Sequence, residues 1–282
     1  MNPENFRAAL DWRTLRMFIV MDANHRSFSK PANMQPLQEI TADCAAKQAW
    51  FEEWPDRAEA FFARRQRPLV TVSYAQSVDG SIATHSRQQL QLSSHQSQVL
   101  THRIRAACEA IIVGINTVLV DDPQLTVRLV DGHNPQPVVL DTNLRIPLEA
   151  RLLDPGNGRC WVASDTEMPV ARIAAVEAKA AEVLPCPRDQ QNRVDLPYLL
   201  DLLGQRGIRS IMVEGGAQVI SSFLEARLVD QLIITITPQL VGGLPALECP
   251  AVRNGTGLSL KEVVYETCGP DIILWARPDW TD

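Results

Sequence analysis

The hydrophobic pattern of the chain changes at about residue 69, where short apolar runs begin to alternate with amphipathic stretches. The runs are rich in Val, Ile and Leu, which is typical of buried strands, and they lie at 69–75, 109–114, 137–141, 160–163, 182–184 and 209–214. Apolar spacing of three and four residues predicts helices at 93–107, 170–181, 196–203 and 217–226. Ser93 or Ser94 is expected to cap the first helix, and Asp195 the third.

The last part of the chain contains strand patterns without helices between them. They lie at 230–237, 261–267 and 271–276, and the last two are close enough to form a hairpin. Strands separated by helices favour a parallel sheet covered on both faces, whereas this ending favours antiparallel pairing. The pattern therefore predicts an α/β fold with a mostly parallel central sheet and an antiparallel C-terminal edge.

Residues 1–66 have a different composition and hold nine of the sixteen aromatic residues. Because disordered segments are poor in aromatics, this part is expected to be folded or docked. Helix-like spacing covers 3–20 and 40–64, with a break expected at Pro55. We therefore expect two parts, a helical aromatic-rich extension at 1–66 and an α/β domain at 67–282.

Composition and charge narrow the possible functions. The formal charge is −6 without a basic block, which excludes the usual nucleic-acid binders but still allows a few placed arginines to bind a small anion. The first residues do not resemble a signal peptide, and no apolar run reaches the roughly 20 residues that span a bilayer. The six cysteines contain no C-x-x-C pair, which is typical of reduced thiols. A cytoplasmic protein without membrane partners is expected.

The first candidate for chemistry is the segment 211–222, in which a strand runs through Glu214 into Gly215-Gly216 and then a helix. The N–H groups at such a helix start can bind a phosphate, and glycines permit close approach. A plain turn with glycines for packing explains the pattern equally well. The chain lacks the G-x-G-x-x-G of a dinucleotide-binding Rossmann unit.

Three further segments follow predicted strands, where α/β proteins bind ligands. Residues 113–128 are expected to leave a strand for a loop with Thr117, two adjacent aspartates and Arg128, and no metal site is expected there because other ligands are absent nearby. Thr142 and Arg145 could hold the 2′-phosphate of NADPH, with a surface turn as the alternative. The pair Asp79-Gly80 indicates a turn.

Hydrolytic chemistry has little support in the sequence. The five histidines show neither zincin spacing nor a G-x-S-x-G partner, and the deaminase signature H-x-E with P-C-x-x-C is absent.

Several blocks, taken in order, resemble the reductase domain of riboflavin biosynthesis, which in bacteria is often fused behind a pyrimidine deaminase. The resemblance extends from residue 67 to about residue 277. The blocks are Arg67-Pro68, Ser77-Val78-Asp79-Gly80, the run 117–128, Val213-Glu214-Gly215-Gly216, Leu228-Val229-Asp230 and Pro238-Gln239-Leu240-Val241-Gly242-Gly243.

The resemblance implies a three-layer fold of the dihydrofolate-reductase type, a homodimer, and hydride transfer from NADPH. The implied substrate is 5-amino-6-(5-phosphoribosylamino)uracil or the 2,5-diamino pyrimidinone equivalent, whose ribosyl group becomes a ribityl group. By the same resemblance, Arg105, Arg128 and the backbone near Leu125 bind the substrate, and Glu214 contacts it as the catalytic candidate. The implied cofactor positions are Gln76, Thr117, Asp121, Thr142, Arg145, Gly215, Gly216, Ala217, Gln218, Val219, Ile220, Ser221 and Ser222.

Two alternatives remain open. The chain departs from the family pattern at Ser73, Gln89 and Gln91, where the family often has a lysine, a small hydroxyl and an aromatic residue. A related reductase acting on a pterin, a dihydrofolate or a specialised metabolite would tolerate these changes. A catalytically silent ligand-binding or partner protein is the second alternative.

Overall fold

The computed structural model describes residues 48–86, 90–247 and 257–280, so the helix predicted at 3–20 and the position of Gln89 lie outside the described residues. The helices are α1 Gln48–Arg65, α2 His95–Ala107, α3 Ile115–Asp121, α4 Val170–Glu177, α5 Leu196–Gln205 and α6 Ala217–Glu225. The strands are β1 Leu69–Ser77, β2 Ser81–Ala83, β3 Ala110–Gly114, β4 Gln136–Leu140, β5 Cys160–Asp165, β6 Ala181–Cys186, β7 Ser210–Val213, β8 Gln231–Thr237, β9 Leu244–Pro245, β10 Leu260–Cys268 and β11 Asp271–Pro278.

Within the described residues, nine strands form one sheet in the order β10-β11-β8-β1-β7-β3-β4-β5-β6. The pairs from β8 through β6 are all parallel, whereas β11 pairs antiparallel with both β8 and β10. The predicted α/β class, with a mostly parallel sheet and an antiparallel C-terminal edge, is confirmed. A separate two-stranded ribbon of β2 and β9, which the sequence pattern did not indicate, lies outside this sheet.

The sheet separates two hydrophobic cores. Successive residues of β3 point to opposite faces, so Ile111 and Val113 join one core while Ala110 and Ile112 join the other. The first core also contains residues of α1 and α2, and the second contains residues of α5 and α6. Because both faces are covered, all five residues of β3 are buried and none is polar, as expected for a strand in a parallel sheet.

Helix α1 runs through Pro55 without the predicted break. A proline removes one backbone hydrogen bond and usually kinks a helix, but packing can hold the two halves together. Trp54 is fully buried beside Pro55, and Phe61 is buried about two turns later. Both side chains belong to the core that contains Ile111, and this packing keeps α1 against the sheet. The predicted division of the chain between residues 66 and 67 stays a prediction.

Two further helix predictions were wrong. The loop expected after β3 begins with α3, which buries Ile115 and Val118 and ends at Asp122 in the left-handed conformation (φ 39°). Helix α4 ends at Glu177, four residues before the predicted end. The alanines that follow favour a helix, but Ala181 instead pairs with Cys160 in the sheet, so tertiary pairing overrides local propensity.

The other helix starts agree with prediction. Ser94 caps α2, accepting a hydrogen bond from the backbone N–H of Ser97, and Asp195 caps α5 in the same way through Tyr198. Among the described residues, no helix has both the length and the apolar composition that crossing a membrane requires. The four cysteines in this part of the chain are buried free thiols.

Candidate active site

A cavity of about 600 Å³ opens at the carboxyl ends of β3, β4 and β7. In open α/β sheets this edge is the usual ligand site, because loops diverge there and helices begin. Eight of the predicted cofactor positions line the cavity, namely Thr117, Thr142, Arg145, Gly216, Ala217, Gln218, Val219 and Ser222.

Helix α6 begins at the wall of this cavity. Gly216 is its N-cap in extended backbone conformation (φ −73°, ψ 168°), and no side chain caps the helix. Neither Gly215 nor Gly216 has a positive φ, so the backbone conformation of this turn does not itself require glycine. A Cβ on Gly216 would meet nothing within 4 Å, so the missing side chain leaves room for a ligand to approach the positive end of the helix.

A third glycine sets the distance between α6 and the sheet. A Cβ on Gly114, the last residue of β3, would lie 2.7 Å from Cγ2 of Val219. Contacts this short do not occur, so only glycine lets α6 pack this closely on β3. The close packing brings the start of α6 and the start of α3 to the same cavity.

The loop after β4 carries Thr142 and Arg145 to the opposite wall. Asp141 is fully buried, and its Oδ2 accepts a 2.7 Å hydrogen bond from the backbone N–H of Ile146, which holds the loop closed. Burial raises the pKa of Asp141 despite these backbone hydrogen bonds. Arg145 is exposed and its Nη2 donates to Oδ1 of Asn116 at 3.2 Å.

Arg193 also lines the cavity, although no sequence motif indicates it. Its Nη1 donates to Oγ of Ser222 at 2.8 Å, which joins the loop before α5 to helix α6. Arg193 lies between predicted elements without a neighbouring motif, so only the packing of two distant segments could identify it.

Next to the turn of Gly215, Arg105 and Glu214 form a two-pronged ion pair. Nε of Arg105 lies 2.7 Å from Oε1 of Glu214, and Nη2 lies 2.6 Å from Oε2. Both side chains are largely buried, with 13% and 17% of their surface exposed. Burial by itself would lower the pKa of Arg105, but the charge and hydrogen bonds of Glu214 outweigh it and raise that pKa.

Arg128 lies on the exposed side of this pair. Its Nη1 donates to Oγ1 of Thr126 at 2.7 Å, while its backbone N–H donates to Nδ1 of His102 at 3.0 Å. His102 therefore acts as an acceptor, and burial, followed by the charges of Arg105 and Arg128, lowers its pKa to about 4. Leu125 is buried and adopts a left-handed conformation (φ 56°) at the start of this segment.

The remaining predicted cofactor positions are not among the residues that line the cavity. Ile220 and Ser221 lie on the buried face of α6, and Gly215 lies directly behind the wall. Gln76 and Asp121 are half-buried at the ends of β1 and α3. Oδ1 of Asp122 accepts a 2.8 Å hydrogen bond from the backbone N–H of Arg151. Within the described chain, no three acidic, His or Cys side chains are grouped as metal ligands would be.

The arrangement of a glycine-started helix, a cavity at the sheet edge and an adjacent Arg–Glu pair can be compared with known families. The model of the RibD C-terminal domain matches residues 68–274. The chain belongs to this family. The predicted three-layer fold of the dihydrofolate-reductase type, with helical structure before the first strand, is thereby confirmed.

Individual members of the RibD C-terminal domain family resemble the chain to different degrees. A protein of Archaeoglobus fulgidus named 2,5-diamino-6-ribosylamino-4(3H)-pyrimidinone 5′-phosphate reductase is 41% identical over 205 residues, which cover 69% of this chain and 90% of that protein. The structure of Saccharomyces cerevisiae riboflavin biosynthesis reductase Rib7 has a TM-score of 0.64 at 26% identity, covering 83% of this chain and 99% of that one. Acinetobacter baumannii RibD gives 0.66 at 25% identity, but the match covers 79% of this chain and only 61% of that longer one.

Proposed function

We propose that this chain is an NADPH-dependent reductase that converts the phosphorylated ribosylamino group of a pyrimidine into a ribitylamino group, a step of riboflavin biosynthesis. The observation that carries the proposal is the continuity of two sites. Glu214, held by Arg105, and Gly216, on the cavity wall, are separated by one residue. A cofactor in the cavity would therefore lie beside the Arg105–Glu214 pair, where an anionic sugar could bind.

The cavity residues fit a dinucleotide phosphate. The bare start of α6 offers backbone N–H groups and the positive end of a helix dipole to a diphosphate. Arg145 and the hydroxyl of Thr142, on the opposite wall, suit the additional 2′-phosphate that distinguishes NADPH from NADH. When bound, this cofactor supplies the hydride.

Arg128 and the Arg105–Glu214 pair fit the substrate. Arg128 presents an exposed guanidinium group to a sugar phosphate, because among the described residues its guanidinium group donates hydrogen bonds to the neutral Thr126 alone. Arg105 is neutralised by Glu214 and holds that carboxylate in one orientation, so that it can accept a hydrogen bond from a ribose hydroxyl. The 41% identity to the archaeal pyrimidinone phosphate reductase supports this substrate class.

The resemblance also leads us to propose a homodimer in the cytoplasm. Light scattering on the purified protein tests the first of these statements, because a homodimer has twice the 31.3 kDa mass of the chain.

Parallel turnover assays test the proposed function. Purified protein is incubated with NADPH and either the pyrimidine ribosylamino phosphate or dihydrofolate, and NADPH consumption is followed. We expect turnover with the phosphate substrate only, and a Glu214→Gln control that binds NADPH but loses most of kcat. Preference for dihydrofolate would support the pterin alternative, and cofactor binding without turnover would support the silent one.

A further inference from the structure

Two blocks with no role in the proposed chemistry meet beside the cavity. They are the turn at 77–80 after β1 and the loop at 238–243 after β8. The backbone N–H of Val78 donates to the carbonyl of Gln239 at 2.9 Å, and Gly243 donates to Oγ of Ser81 at 2.9 Å. The two blocks are therefore one structural unit, although residues 81–237 lie between them in the sequence.

This unit carries the ribbon of β2 and β9, which forms part of the cavity wall through Ile82, Ala83 and Leu244. The ribbon contains only two short paired strands, so it has few bonds of its own. Its two halves approach each other very closely, since a Cβ on Gly243 would lie 2.0 Å from the carbonyl oxygen of Ala83. The position of this wall therefore depends on the segment that leads into β9.

Asp79 holds that segment. Its Oδ2 accepts hydrogen bonds from the backbone N–H of Gly242 at 2.7 Å and from Oγ of Ser81 at 3.0 Å. Its Oδ1 accepts from Val241 at 3.0 Å and from Oγ of Ser77 at 2.5 Å. The hydroxyl of Ser77 and then the two backbone N–H groups lower the pKa of Asp79 far below its usual range, so the carboxylate stays ionised.

We propose that Asp79 is a positioning residue that fastens the 241–243 segment, so that the ribbon of β2 and β9 forms a fixed wall of the cofactor cavity. The inference rests on the proposed function, because the wall matters only if a cofactor binds against it. Asp79 itself does not line the cavity, so its effect passes through Ile82, Ala83 and Leu244.

Removing the carboxylate should loosen the ribbon without unfolding the domain. The backbone hydrogen bond from Val78 to Gln239 and the 3.0 Å bond from Ala246 to Gly80 do not involve the Asp79 side chain. The pairing of β1 with β7 and β8 in the nine-stranded sheet is backbone pairing, so it likewise does not involve the Asp79 side chain. A ribbon that is in its binding position for only about a tenth of the time would raise the apparent Kd for NADPH roughly tenfold.

The test compares the full-length wild type with three variants, Asp79→Ala, Asp79→Asn and Gly243→Ala. Asp154→Ala is the matched control, because this carboxylate also holds a backbone N–H, that of Gly156, in an exposed turn away from the cavity. Calorimetry gives the Kd for NADPH, steady-state kinetics give kcat at saturating cofactor, and hydrogen exchange is measured on the peptide 239–245.

We expect Asp79→Ala and Gly243→Ala to raise Kd roughly tenfold, to accelerate exchange only in the ribbon, and to leave kcat within about twofold. For Asp79→Asn, the Kd and the exchange rate should lie between those of the wild type and Asp79→Ala, because the remaining side-chain oxygen can still accept a hydrogen bond from Val241. If hydrogen exchange in the ribbon of these variants is faster but their Kd for NADPH is unchanged, the positioning role is overturned. Asp79 would then have a purely structural role. Wild-type protein that binds no NADPH would overturn the proposed function and the inference together, whereas wild-type binding with unaltered variants would overturn the inference alone.

Discussion

Substitutions of single side chains in this site differ in whether they change activity alone or change the stability of the fold as well. Arg105 and Glu214 are partly buried and bonded to each other, so removing either one leaves an unpaired charge. Such losses commonly cost about 3–5 kcal/mol and mix folding with catalysis. Neutral side chains or backbone groups are the partners of Arg128, Arg145 and His102. Substitutions at these three positions therefore leave no unpaired buried charge, and their effects are easier to assign to one cause.

Arg128→Ala should raise KM for the phosphorylated substrate by roughly 10- to 100-fold, because the phosphate loses a charge-assisted hydrogen bond. The change should not affect the Kd for NADPH. Steady-state kinetics provide the measurement, with Arg277→Ala as a control, since Arg277 pairs with Glu262 on the distant hairpin. An unaltered KM would mean that the phosphate binds elsewhere.

Arg145→Ala should reduce the preference for NADPH over NADH by about tenfold, because only NADPH carries the 2′-phosphate. Dissociation constants for the two cofactors, measured side by side, give the preference. The control is Arg64→Ala on α1, where the guanidinium group contacts its own helix. Equal weakening of both cofactors would assign Arg145 to the shape of the loop rather than to phosphate recognition.

His102 predicts a pH dependence of stability. Its pKa is about 4 in the folded chain and about 6.5 when unfolded, so between these values the unfolded chain binds more protons. The free energy of unfolding should therefore fall as the pH drops from 6.5 to 4, by up to about 1.4 kcal/mol per unit from this group. Denaturant titrations of wild type and His102→Asn measure it, since Asn keeps an acceptor but does not titrate there. Parallel pH curves for the two proteins would contradict this assignment.

At the level of elements, the site depends on how closely α6 packs on β3. Sequence patterns predicted β3, α6 and the glycines that precede α6, because strand and helix periodicities are local properties. They missed α3, whose Asn, Thr and Val residues are poor helix formers and which is stabilised by burying Ile115 and Val118. They extended α4 too far, because strand pairing at Ala181 involves a partner distant in sequence.

Gly114→Ala should destabilise the fold by about 1–3 kcal/mol, because its Cβ would overlap with Val219. The same substitution in a Val219→Ala background should cost less, since the clashing methyl group is gone. Chemical denaturation of the four proteins of this double-mutant cycle measures the coupling. An equal cost in both backgrounds would show that α6 does not need the glycine.

At the scale of the whole molecule, the sheet brings residues that are distant in sequence together in one site. Parallel strands place their carboxyl ends at one edge, so Thr117, Thr142 and Gly216 meet although they follow three different strands. The sequence could predict this convergence. It also singled out Arg105 and Arg128, whose role in binding the substrate stays a prediction. It could not predict Arg193 or the fastening of the ribbon by Asp79, because both depend on contacts between segments with no shared local pattern.

The central claim is that this chain transfers a hydride from a dinucleotide in the cavity to a substrate beside Glu214. The most direct measurement uses NADPH deuterated at the reactive carbon of its nicotinamide, with the product analysed by mass spectrometry and NMR. We predict one deuterium at C1 of the ribityl group, and none in product formed in the presence of unlabelled NADPH. Reduced product that carries no deuterium, whichever face of the nicotinamide is labelled, would contradict the claim. A folded chain that binds NADPH but forms no reduced product would also contradict it.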